Sequence, residues 1–505
     1  MKNIKKLFIV ALTFVMSVLM INTVSATTGK ITIENTTEGK TYELYKIFDL
    51  TYNGNKVSYT IASSWETFFT TGDGAAYISD TNIGDALNPI TIGNATKYIN
   101  ITSTNVEEFT QKALTYAAKL STPDATREAT GTTEEISGLA LGYYLVYPRG
   151  AANIKPGNGS IASIDSTIPN ATVIVKAEYP TINKTVDDDN TDVGQLVTFT
   201  ITGQVPDTTG FDSYTYQIND SMTAGLQLDS TVAEFTVNFI KENTDPEEDV
   251  ITPISVTPVY GENGFTLTFD MVEYQQYVGQ KIEITYKVRV TEPAVNSSTT
   301  KNSATLTYSN NPKTNTTTTT TKIELPVYSS EIVVTKIEEG NEDIKLANAK
   351  FVLTKFDAQG NKLYYRAVDA SGNTITNTTT TQSLVKVEWV STLAEATELV
   401  TDSTGVITFK GIENGTYELV ETEAPAGYNK LTGPKQVKVG YKDQTGTNLG
   451  TVAVSHQQTV ENKTGQELPS TGGFGTKMFI MIGSLLAIVS SIILVTNKRM
   501  SKEYL

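Results

Sequence analysis

Short runs in which apolar and polar residues alternate, broken by Gly, Asn, Asp and Pro, cover most of the chain between residues 27 and 463. Alternation with a period of two puts successive side chains on opposite faces of a strand. The pattern therefore predicts a mostly β protein of antiparallel sheets packed as sandwiches or barrels. Clear cases are Gln195–Thr202, Lys281–Val290, Ala304–Tyr308 and Thr416–Glu421. One segment departs from this. Thr104–Leu120 spaces Val106, Phe109, Ala113, Tyr116, Ala117 and Leu120 near the helical period, behind a capping box of Thr104 and Glu107. It predicts a short helix inserted in the first domain. Breaks fall at Tyr179-Pro180 and Leu325-Pro326, which divides the folded part into domains over 27–179, 180–325 and 326–463. The Thr316–Thr321 run reads as a loop or an edge strand.

The two ends follow another pattern. Residues 1–26 carry Lys2, Lys5 and Lys6, then an apolar stretch, then Val24-Ser25-Ala26, the layout of a cleaved secretion signal. Met478–Thr496 is uncharged and long enough to cross a bilayer, and Lys498, Arg499 and Lys502 behind it predict a cytoplasmic tail. Just ahead stands Leu468-Pro469-Ser470-Thr471-Gly472. Pentapeptide, apolar span and basic tail together, over 464–505, resemble the cell-wall sorting signal of Gram-positive sortase substrates. The resemblance implies cleavage between Thr471 and Gly472 and an acyl-enzyme on the Thr471 carbonyl, resolved by an amine, with this chain as the substrate.

Composition narrows the function. The 505 residues include no cysteine and only His456 as histidine, and the net charge is −16. Disulfides and thiolate sites are thereby excluded, and little scope remains for a histidine triad or a histidine-ligated metal. The acidic balance argues against nucleic acid as a partner. Removing the two ends takes away seven Lys/Arg and one acid, which brings the exported chain to −22. No cofactor is expected. The run Asp187-Asp188-Asp189-Asn190-Thr191-Asp192 lacks the glycine and glutamate of a calcium loop, so no metal is expected either. The pairs Glu107-Glu108 and Glu134-Glu135 read as solvated faces, and the chain is predicted not to be an enzyme.

The informative residues are lysines that interrupt apolar strand faces. Lys184 is in phase with Ile182 and Val186, Lys336 with Ile332 and Val334, and Lys46 with Tyr42, Leu44 and Phe48. Such a lysine either snorkels at a strand end or is buried, and burial drives it toward the neutral, nucleophilic amine. Candidate partners share apolar phases late in each domain. Asn302 runs with Ala304, Leu306 and Tyr308, and Asn462 with Val452, Val454 and Val460. Asp220 follows Tyr214, Tyr216 and Ile218, and Glu421 follows Tyr417 and Leu419; Glu283 competes with Asp220 but falls on the polar face of its strand. Lysine, asparagine and an acid meeting in an apolar core would form an isopeptide bond, with the acid shuttling protons as ammonia leaves. In the first domain Lys46 and Asn170 form the weakest such pair: Asn170 is out of phase with Val173 and Val175, and no acid stands out.

The stretch Gly415-Thr416-Tyr417-Glu418-Leu419-Val420-Glu421-Thr422-Glu423-Ala424-Pro425-Ala426-Gly427-Tyr428 resembles the signature of collagen-adhesin B-type (CnaB-like) domains. Asn302 onward, with Tyr308-Ser309-Asn310-Asn311-Pro312, resembles the end of the middle domain in Gram-positive backbone pilins. The resemblance implies three tandem Ig-like, Cna-type β-sandwich domains with Glu421 as the acid for Lys336 and Asn462. It also implies assembly into a surface pilus anchored to peptidoglycan. The implied partners are a pilus-class sortase, a housekeeping sortase, other copies of the chain and ancillary pilins. Polymerisation in that family uses an exposed lysine near the end of the first domain, usually in a Tyr-Pro-Lys run. Here Tyr147-Pro148 is followed by Arg149 and Tyr179-Pro180 by Thr181, so Lys176 is the best replacement and Lys155 the alternative. The rival expectation is an ancillary pilin or wall-anchored adhesin for a host ligand of unknown identity, but no distinct ligand-binding domain is evident.

Overall fold

The computed structural model describes residues 28–500 apart from 54–55, 82–88, 93, 152, 155–159, 166–167, 229–234, 244–247, 315, 377–381, 441–454 and 466–473. The signal-like residues 1–26 and the pentapeptide Leu468–Gly472 thus lie outside the described residues. The chain divides into two compact units, Met1–Ser329 and Ser330–Leu505.

Within the first unit, no described strand before Glu178 pairs with one after Asn183. In the earlier part, strand Thr28–Glu34 lies parallel to Asn170–Ile174 and antiparallel to Thr133–Ala140. A larger sheet is built around Thr41–Asn53, flanked by Gly142–Pro148 and Lys56–Ile61. Thr41–Asn53 is buried on both faces. Tyr42 and Leu44 pack into one core with Ile31 and Val173, and Tyr45, Ile47 and Phe48 into another with Trp65 and Phe109. The predicted helix forms over Val106–Ala117 and buries Phe109, Ala113, Leu114 and Ala117. Its start differs from expectation. Asn105, not Thr104, is the N-cap residue, no side chain caps the helix, and Asn105 Oδ1 instead accepts from the Thr102 N–H at 2.6 Å. Glu134 also departs from the solvated reading. It is buried, and the Thr130 N–H and the Arg127 guanidinium hold its carboxyl down at about 2.

The later part of the first unit is a two-sheet sandwich. One sheet runs Asn183–Val186, Leu196–Gln204, Lys281–Val290, Thr236–Lys241 and Val250–Pro253. The other runs Val259–Gly261, Gly264–Asp270, Thr215–Met222, Lys301–Ser309 and Thr317–Thr319, so the threonine run holds an edge strand. Strand Lys281–Val290 alternates strictly, burying Ile282, Ile284, Tyr286, Val288 and Val290. Val327 closes this core, so the chain leaves the unit a few residues beyond Leu325-Pro326. The two parts of the unit meet through charge. Glu43 is buried and accepts from Tyr45 Oη at 2.6 Å, Arg149 Nη1 at 3.3 Å and Lys313 Nζ at 3.3 Å. Gly150, with φ of 76°, passes so close to Asn310 that a Cβ there would stand 2.8 Å from its carbonyl oxygen.

In the second unit, strand Ser330–Glu338 pairs with Val406–Ile412 antiparallel and with Ser455–Asn462 parallel. The facing sheet orders Lys386–Val390, Lys362–Val368, Lys350–Phe356, Gly415–Glu423 and Lys435–Val439. Its core includes Ile332, Val334, Phe351, Leu353, Phe409, Leu419 and Val460. The apolar C-terminal segment is a helix, Phe474–Met500, in which Met478–Lys498 has a mean hydropathy of 2.7 and the length to cross a membrane.

Candidate self-joining sites

Each candidate site begins with the strand alternation that buries a lysine. Ser330–Glu338 sends Ser330, Ile332, Val334 and Lys336 inward, and the Lys336 side chain has no exposed surface. The parallel register sets Lys336 opposite Val460 and Glu338 opposite Asn462. The long lysine side chain spans that offset. Lys336 Nζ donates to Asn462 Oδ1 at 2.5 Å and stands 3.7 Å from Glu421 Oε1. Glu421 comes from the facing sheet, on strand Gly415–Glu423. Its Oε1 accepts from Asn462 Nδ2 at 2.9 Å, and its Oε2 accepts from the Leu431 N–H at 2.7 Å. The backbone donor therefore orients the carboxylate so that one oxygen faces both the amine and the amide. Burial pulls the Lys336 ammonium down to about 8, against the opposing pull of Glu421.

The second site lies in the later part of the first unit. Strand Asn183–Val186 buries Lys184, whose ammonium makes a close ion pair with Asp220 Oδ2, both side chains being wholly unexposed. Asp220 sits on Thr215–Met222 and Asn302 on Lys301–Ser309, paired antiparallel in the facing sheet. The aromatic faces of Phe199 and Tyr286 lie 5.1 and 5.6 Å from Lys184 Nζ. Burial lowers the lysine and raises the aspartic acid, and both shifts favour the neutral amine and neutral carboxylic acid. Glu283 is not in the site and instead pairs with Lys281 at 2.8 Å.

Tyr286 was missed from sequence. Its hydroxyl donates to Asp220 Oδ2 at 2.6 Å and accepts from Asn302 Nδ2 at 3.0 Å. The only available signal was a tyrosine on the buried phase of Lys281–Val290, which looks like an ordinary core residue.

The third pair is not brought together. Lys46 forms an ion pair with Asp49 at 2.5 Å, and its strand shifts register between Lys46 and Phe48. Asn170 is exposed, in a different sheet, paired with Lys30. The expected bond between them is corrected accordingly: Lys46 keeps the register of Tyr42 and Leu44, opposite Tyr144 with the bulge falling after it, but Asn170 lies exposed on another sheet and Asp49 takes the Lys46 ammonium instead.

Lys176 is exposed and directly precedes strand Ala177–Glu178, which pairs with Asn153–Ile154. Lys155 lies outside the described residues. In the acidic run, Asp187 and Asp188 accept backbone N–H groups of Thr198 and Asn190, and among the described residues no three His, Asp or Glu side chains gather to hold a metal.

Residues 330–452 match the family model described as SpaA, prealbumin-like fold domain. No curated protein matches the chain. Among solved structures, the chain is similar to the pilus 2b backbone protein of group B streptococcus at 26% identity, with 57% of this chain and 99% of that one covered and a TM-score of 0.42. It is also similar to the T6 backbone pilin of Streptococcus pyogenes, at 18% identity, 82% and 80% coverage and a TM-score of 0.46. The major pilin SpaD of Corynebacterium diphtheriae aligns at 18% identity, with 87% and 98% coverage and a TM-score of 0.45. The second unit thus carries a prealbumin-like SpaA domain, in a mostly β chain similar to Gram-positive backbone pilins.

Proposed function

We propose that the chain is the structural backbone subunit of a covalently polymerised surface pilus, with three tandem domains over 27–179, 180–325 and 326–463. The observation that carries this reading is the enclosed Lys336–Glu421–Asn462 cluster, which joins the first strand of the second unit to its last. Attack of the neutral Lys336 amine on the Asn462 carboxamide forms an Nζ–Cγ bond and breaks Cγ–Nδ2. Ammonia leaves, and Glu421 carries the protons. Lys184 and Asn302 join in the same way beside Asp220. Each bond closes a domain and replaces the disulfides that a cysteine-free chain lacks. The chain catalyses nothing on other molecules.

Between subunits, a pilus-class sortase transfers Thr471 of one chain to a lysine of the next. Exposure at the end of the first domain favours Lys176. A housekeeping sortase then attaches the fibre to peptidoglycan, and ancillary pilins join it. The apolar helix Phe474–Met500 fits a transient membrane intermediate of that export. Co-expression of the full chain with its sortase tests the reading. The wild-type chain is expected to give a ladder of high-mass species on a denaturing gel, and Lys176→Ala to abolish it. A ladder that survives Lys176→Ala moves the linkage to another lysine, Lys155 first. No ladder from the wild-type chain favours a singly anchored adhesin.

A further inference from the structure

The two clusters differ in how the acid reaches the amide. In the second unit Glu421 Oε1 accepts directly from Asn462 Nδ2 at 2.9 Å. Aspartate is one methylene shorter. In the first unit Asp220 makes no such contact, and the Tyr286 hydroxyl fills the gap, 2.6 Å from Asp220 Oδ2 and 3.0 Å from Asn302 Nδ2. Asp220 Oδ1 and Asn302 Oδ1 are left buried without hydrogen-bond partners. We infer that Tyr286 is a catalytic residue of the middle site, relaying the proton from Asp220 to the departing nitrogen of Asn302. The inference rests on reading this cluster as self-joining.

Lys184 gives a proton to Asp220, leaving a neutral amine and a carboxylic acid. The amine lone pair attacks Asn302 Cγ, and the carbonyl π pair moves to Oδ1. Planar in the amide, Nδ2 has no lone pair to offer; in the tetrahedral adduct it has one. Asp220 then passes its proton to Tyr286 Oη as the tyrosine proton moves to Nδ2. The Cγ–Nδ2 bond breaks, ammonia leaves and the carbonyl reforms. Asp220 finally takes the surplus proton from Nζ, which yields the neutral amide. Tyr286 accepts as it donates, so no phenolate forms, in keeping with a buried phenol that is harder to ionise than usual.

The experiment refolds the full chain from denaturant, before linkage, and follows both cross-linked peptides over time by mass spectrometry. The Lys336–Asn462 link in the same molecule serves as the internal reference. Tyr286→Phe is expected to slow the Lys184–Asn302 link about a hundredfold, the usual worth of a positioned proton donor, and to leave the reference rate unchanged. Linkage at the wild-type rate overturns the role. If Tyr286→Phe fails to fold, replacing Tyr286 with 3-fluorotyrosine preserves the packing and makes the hydroxyl more acidic. A changed rate is then expected, and an unchanged one overturns the role. A wild-type chain that forms the reference link but never the Lys184–Asn302 link removes the self-joining reading itself, and Tyr286 with it; a rate defect confined to the variant cannot be mistaken for that outcome.

Discussion

A lysine with no exposed side-chain surface is a nucleophile by default of solvation, because the ammonium has lost the water that stabilised its charge. Lys336 shows the sign of the effect. Only the neutral amine carries a lone pair, and burial brings that form within reach by lowering the group from 10.5 to about 8. In chain refolded from denaturant, the Lys336–Asn462 link should form about tenfold more slowly for each pH unit below 8 and level off above it. Mass spectrometry of samples quenched over time reads this directly, and a rate flat from about pH 6 to 9 would contradict it. Glu421→Gln removes the proton carrier but keeps the shape. It should leave Lys336 and Asn462 unjoined, so that the chain falls short of its own sequence mass by one ammonia fewer than wild type does. Residue-scale chemistry was only partly legible beforehand. Lys184, Lys336, Asp220, Glu421, Asn302 and Asn462 are all polar side chains on apolar phases, and that mismatch is visible in a string of letters. Tyr286 is not a mismatch. Its ring belongs in a core, and only its hydroxyl, placed by the pairing of three strands, gives it chemistry. The Leu431 N–H that orients Glu421 is equally hidden, because a backbone donor has no letter of its own.

At the scale of elements, the alternation rule holds where a strand has one buried face and fails where it has two. Lys281–Val290 buries every second residue, and its reading from sequence is right residue for residue. Thr41–Asn53 packs between two cores, so Tyr45 and Ile47 are buried along with Tyr42 and Leu44, and period two no longer identifies an inner face. The register shift after Lys46 completes the failure. Helix Val106–Ala117 was visible from its apolar spacing, but its first turn was not, because Asn105 outcompetes Thr104 for the turn that precedes it. These elements lead to a mass prediction. The exported chain should be two ammonias lighter than its sequence, and Lys46→Ala should leave that deficit unchanged. A deficit of three, falling to two in Lys46→Ala, would show that Lys46 forms a third bond after all.

At the scale of the molecule, the buried carboxylate of Glu43 links the two parts of the first unit. Glu43 serves Tyr45, Arg149 and Lys313, and the last of these reaches it from beyond strand Lys301–Ser309 in the later part of the unit. Glu43→Ala leaves two cations facing a buried site with no counter-charge. Breaking a buried pair in this way costs about 3–5 kcal/mol, so the urea midpoint of the first unit should fall while that of the second stays put. Equal shifts in both would show that Glu43 acts outside its own unit. The net charge of −22 over residues 27–471 favours mutual repulsion between separate chains. The parallel pairing of Ser330–Glu338 with Ser455–Asn462 has one more consequence. Lys336 and Asn462 are 126 positions apart, and they meet only when strand Ser455–Asn462 pairs with strand Ser330–Glu338. On the proposed self-joining chemistry, a chain that misfolds keeps its ammonia, and a chain that folds gives it up irreversibly. Each finished subunit would therefore carry a permanent chemical record that its last strand once reached its first, and a fibre assembled from such subunits could be audited for past errors by weighing it.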